Sequence, residues 1–92
     1  MAVACVGFDD VVQSLVGEVV DEYFDDRSTG NVWHPSDFAC FVVDNLGGRV
    51  EDDDLYTRMS RAVARRMQYL LREGARPAQI VESLTECVLA FR

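Results

Sequence analysis

Apolar side chains recur along this chain at helical spacing. Between Phe8 and Phe24 they fall at Phe8, Val11, Val12, Leu15, Val16, Val19, Val20, Tyr23 and Phe24, a pattern that predicts a first helix. At about 100° per residue these side chains cover an arc of roughly 220°, against roughly 100° for a helix lying on a single surface. Asp10, Ser14, Gly17, Glu18 and Asp21 make the narrow face opposite. So broad an apolar arc wants cover on two sides. Its valines also lower the intrinsic helix propensity, so packing must supply the difference.

The stretch from Asp25 to His34 holds a polar cluster, Ser28, Thr29, Gly30 and Asn31, whose turn chemistry predicts a loop. Pro35 and Asp37 suit the first turn of a second helix, which Gly47 and Gly48 end after Leu46. Its apolar face reads Phe38, Phe41, Val42 and Leu46. A strand over Cys40 to Val43, paired with Ala2 to Val6, is the alternative; Pro35 and the apolar spacing weigh against it. The third helix is expected from Asp53 to Glu73, with Asp52 to Asp54 at its start and Gly74 as its stop. Tyr56, Met59, Val63, Met67 and Leu70 form its stripe. After Arg76 and Pro77 a fourth helix repeats apolar residues at Ile80, Leu84, Cys87, Val88 and Phe91. The expected fold is all-α, a single helical domain over 1–92, either a small four-helix bundle or two packed helix hairpins.

Charge narrows the partners. Sixteen acidic residues against nine basic ones give a net charge of −7, which disfavours nucleic acid and anionic membrane surfaces. No apolar run approaches the roughly 20 residues that span a bilayer. All nine basic residues are arginine; with the valine richness, this fits a GC-rich coding sequence better than selection against lysine modification. Cys5, Cys40 and Cys87 are too few and too widely spaced for a disulfide framework or a zinc site, so a reducing, cytoplasmic setting is expected.

Candidate chemistry is sparse. Arg58, Arg61, Arg65 and Arg72 share one stripe of helix three; a solvated face, or pairing with the acidic face of helix one, is favoured over nucleic-acid binding. Glu22 and Arg66 each project within the apolar arc of their helix, and a charge pair between them would resolve both anomalies. Asp21, Glu22, Asp25 and Asp26 crowd the end of helix one, where the helix dipole disfavours anions. There, Val16 to Leu46 resembles an EF-hand: Phe24 precedes the loop, Asp25 opens it, Gly30 stands at the turn, Val32 follows, and Asp37 and Phe38 lead into the next helix. The resemblance implies a helix-loop-helix with a cation in the Asp25 to Asp37 loop. Yet Arg27 occupies a ligand position, and the closing acid is Asp37, not a bidentate glutamate, one residue late. His34, the only histidine, has no nucleophile and oxyanion arrangement near it, and there is no phosphate-binding glycine motif. No enzyme, no cofactor and no metal are expected.

What remains is a non-catalytic protein-protein interaction or assembly module. The oversized arc of helix one favours self-association as a homodimer, with Val12, Val16, Val20 and Tyr23 as interface and Trp33 either a binding anchor or a staple folded back on the bundle. The alternative is a small acidic inhibitor or decoy occupying a cationic groove on a partner.

Overall fold

A computed structural model describes residues 8–46 and 53–91, which form four helices and a small all-α bundle. They are α1 (Phe8–Ser28), α2 (Pro35–Asp44), α3 (Asp53–Arg72) and α4 (Pro77–Leu89). Ala2 to Val6, Cys5, the Gly47-Gly48 stop and Asp52 lie outside the described residues. Cys40 to Val43 is helical, in α2. None of the helices is long and apolar enough to cross a membrane.

Helix ends follow local chemistry. α1 runs four residues beyond the expected Phe24 because Gly30, at φ 91°, supplies the left-handed residue of a helix-ending motif. Asn31 N–H donates to the Asp26 carbonyl (2.9 Å) and Gly30 N–H to that of Arg27 (3.1 Å), so two of the last carbonyls are satisfied. The Ser28 and Thr29 hydroxyls bond the carbonyls of Asp25 and Asp26. The same device closes α3: Gly74 has φ 71°, Ala75 N–H reaches Leu70 O at 3.0 Å and Gly74 N–H reaches Leu71 O at 3.2 Å. α2 is capped by His34, whose Nδ1 accepts from Ser36 N–H at 3.2 Å, and it ends at Asp44, where the Asn45 side chain takes the Phe41 carbonyl at 2.7 Å. Gln79 reaches back to the Arg76 N–H at 2.9 Å to start α4.

α1 packs against α4 and α2, and α3 against α2 and α4, so α1 and α3 face each other diagonally across the core. That core gathers Val12, Val16, Val19, Val20 and Tyr23 from α1, Phe38, Ala39, Val42 and Val43 from α2 with Leu46 just beyond it, Met59, Val63, Met67 and Leu70 from α3, and Ile80, Leu84 and Val88 from α4.

Two expectations are corrected here. The apolar surface of α1 does not exceed what its own chain can shelter: Val12, Val16 and Val20 are 0 % exposed and Tyr23 is 2 % exposed. The buried members span only about 100° of the helix. Leu15 and Phe24, on the margins, are half-buried against the core, and Val11 is half-exposed. Those four residues therefore form no interface on the folded chain. On α2, Phe41 points outward at 49 % exposure while Ala39 and Val43 fill the core.

Candidate binding surface

Where α1 ends and α2 begins, five aromatic side chains meet. Tyr23, buried, sets its ring edge-on to Phe24 (centroids 5.1 Å), Trp33 (5.7 Å) and Phe38 (5.9 Å). Trp33 stands one residue before the His34 cap and packs on Phe38, four positions into α2, at 6.3 Å. This is the spacing of a hydrophobic staple, which fixes the angle at which the chain enters the helix. Trp33 Nε1 donates to Asp26 Oδ2 at 2.9 Å, and Asn31 Nδ2 lies 3.5 Å from the same oxygen. The indole is thus held from behind by packing and at its polar edge by a carboxylate.

Its other neighbour is Phe41, at 5.0 Å and 46° between ring planes. These two rings wall a groove of about 430 Å³ between α1 and α2, rimmed by Glu22, Asp26, Asp37 and Asp44. The helical repeat explains the rim: Asp37, Phe41 and Asp44 fall on one side of α2, while the core takes the other. Val32, beside Trp33, is 64 % exposed. Trp33 is therefore a staple that packs back on the bundle, with part of its ring left at the surface.

Asp44 also ties the groove to α3. Tyr56 donates its hydroxyl to Asp44 at 2.6 Å. That bond, with partial burial adding to it, holds the Tyr56 hydroxyl protonated and pushes its pKa up to about 12.

No protein-family model matches this chain, and neither a curated protein nor a solved structure matches it significantly. The residues alone carry the functional argument.

The other candidates resolve differently. Glu22 and Arg66 do not pair: both are exposed, their helices lie on the diagonal, and Arg66 instead extends to α4, where it donates to Ser83 Oγ at 2.9 Å. Long stems let each charge reach water past its apolar neighbours. Arg66 also opposes the effect of burial on Cys87, whose thiol pKa is nonetheless raised. Of the arginine stripe, Arg58 bonds Asp54 one turn back at 3.1 Å; Arg61, Arg65 and Arg72 are exposed and make no ion pair with the acidic face of α1. Asp25 and Asp26 lie inside α1, not in an EF-hand loop, and Asp26 is engaged by Trp33. Among the described residues no three acidic, histidine or cysteine side chains converge as a metal would need.

The spacing of the large apolar residues puts Phe41 on the buried face of α2, whereas the structure sets it on the groove wall. A signal was present: once Ala39 and Val43 are counted with Phe38, Val42 and Leu46, the centre of that face moves and Phe41 falls about 130° from it.

Proposed function

We propose that this protein is a non-catalytic protein-protein interaction module whose docking surface is the α1–α2 groove. One observation carries the reading: Phe41, half-exposed, packs on the anchored Trp33 to wall a concave site. Leaving a large aromatic ring half in water on the wall of a concave site is costly unless a partner covers it. A rigid aromatic pair is also the kind of anchor on which interfaces concentrate binding energy. The homodimer expected from α1 loses its motive, because its valines are already enclosed by α2 and α4. Free thiols at Cys40 and Cys87 accord with a reducing, cytoplasmic setting.

The test places a photo-crosslinking phenylalanine analogue at Phe41 and, as a control, at Tyr69, which is 56 % exposed on α3. A discrete adduct from position 41 in the cells that make the protein, absent from position 69, supports the docking surface. Equal adducts from both positions, or none from 41, overturns it. A second reading, the acidic decoy, is favoured by exposed Asp21, Glu22 and Asp25 on α1. It predicts that Asp21→Asn and Asp25→Asn weaken partner binding while position 41 stays silent.

A further inference from the structure

We propose that the α1–α2 groove receives a basic segment of the partner protein, with an arginine guanidinium laid against the Trp33–Phe41 wall between the rim carboxylates. This rests on the docking reading above and names the occupant by its chemistry.

Two independent features agree on that occupant. The first is charge. Glu22, Asp26, Asp37 and Asp44 line the groove, and among the described residues no basic side chain does. Asp26 uses Oδ2 for Trp33 and Asp44 uses Oδ1 for Tyr56, so each keeps its second oxygen available. Glu22 and Asp37 are exposed and make no side-chain hydrogen bond or ion pair among the described residues. Four carboxylates around one concavity repel each other and focus a negative field into it, which an incoming cation relieves. The second feature is the aromatic wall. A cation set over an indole or phenyl face is attracted by the ring quadrupole. Together they select arginine over lysine, since a planar guanidinium both stacks on a ring and forks two donors onto a carboxylate.

The spacing adds a sequence requirement. Asp37 and Asp44 are seven residues apart on α2, about 10.5 Å along the axis, with Phe41 between them. A chain in the polyproline II conformation has three residues per turn and advances about 9 Å over three residues. Two arginines three positions apart on such a partner segment therefore face the same way and reach both carboxylates across the aromatic wall. A second copy of this chain fits less well, although α3 exposes arginines, because two bodies of net charge −7 repel on approach.

Trp33, the only tryptophan, reports occupancy directly through its emission. The probe is the acetylated, amidated tetrapeptide arginine-alanine-alanine-arginine, compared with its citrulline counterpart, which keeps the shape and loses the charge. Expected is a saturable change with the arginine peptide, weakened by salt, and roughly tenfold weaker binding of the citrulline peptide, as loss of a charge-assisted bond implies. Glu22→Gln and Asp37→Asn, with circular dichroism showing each folded, weaken the arginine peptide to a similar degree; Glu22→Gln suffices if Asp37→Asn disturbs the start of α2. Equal affinity for the citrulline peptide, no saturable change, or folded variants that bind as tightly overturns the proposal. So does an emission change on raising the protein concentration without peptide, which assigns the groove to a second copy. If cross-linking from position 41 succeeds while the arginine peptide fails, the docking surface stands and only its occupant is wrong.

Discussion

Val16 offers the sharpest test of whether one chain shelters its own core. Its side chain is 0 % exposed, in the middle of the buried arc of α1 between Val12 and Val20. Val16→Ala removes two methyl groups. At about 0.8 kcal/mol each they contribute roughly 1.6 kcal/mol of transfer free energy, and the cavity left behind raises the loss to about 2–3 kcal/mol. Alanine recovers roughly 0.5 kcal/mol through its better helix propensity, so the net destabilisation is about 2 kcal/mol. For a domain of this size, that lowers Tm by about 8–16 °C. The assay is thermal unfolding followed by circular dichroism for the parent and the variant, at two protein concentrations about a hundredfold apart, since a dimer's Tm depends on concentration. The reasoning predicts the full decrease at both concentrations, with Gln13→Ala, at an exposed site on the same helix, nearly silent. A decrease below about 3 °C would refute the burial argument. A parent Tm that climbs with concentration would show that cover for α1 comes from a second molecule.

Three further outcomes are expected. Gly30→Ala costs about 1 kcal/mol in urea unfolding because its φ of 91° is unfavourable for any side chain, whereas Gly17→Ala, in mid-helix with open space for a Cβ, stabilises by about 0.5–1 kcal/mol; the same sign at both sites would refute the helix-end assignment. The Tyr56 pKa is raised from 10 to about 12 in the folded state, so its contribution to stability is full below pH 10 and lost as the pH climbs through about 12. Tyr56→Phe therefore lowers the unfolding free energy at neutral pH by an amount toward the low end of about 0.5–1.5 kcal/mol, and the gap between the two proteins in urea unfolding closes from pH 10 to 12; a gap constant across that window argues against the Asp44 bond. In a double-mutant cycle, Glu22→Ala and Arg66→Ala are additive within about 0.3 kcal/mol, and a coupling above about 1 kcal/mol would restore the discarded charge pair.

How far the sequence reached differs from element to element. The stripe of α3 was legible because Met59, Val63, Met67 and Leu70 sit at strict helical intervals with charged residues between them, and all four are buried. The fourth helix was equally plain, although Cys87 is half-buried and Phe91, expected on its face, lies in the turn beyond its end at Leu89. The end of α1 was misplaced because turn residues were read as a loop, when Gly30 and Asn31 instead close a helix that continues through Ser28. Phe41 faces outward because the small Ala39 shares the buried face with Phe38, Val42, Val43 and Leu46, which moves the centre of that face away from Phe41. Of the two roles that Trp33's position in the chain allows, the staple is the one its packing on Phe38 shows.

Spacing, caps and glycines are properties of neighbours along the chain, so the sequence by itself determined the four helices of the described residues and roughly where each would begin. Which helices touch is a property of the whole assembly. Only the tertiary structure decided that α1 and α3 would stand on a diagonal, keeping Glu22 from Arg66, and that α2 and α4 would close over the valines. The same packing left Phe41 at the surface among carboxylates. The physical reason is that an apolar arc records how much surface must leave water, while the packing of neighbouring helices determines which molecule provides the cover.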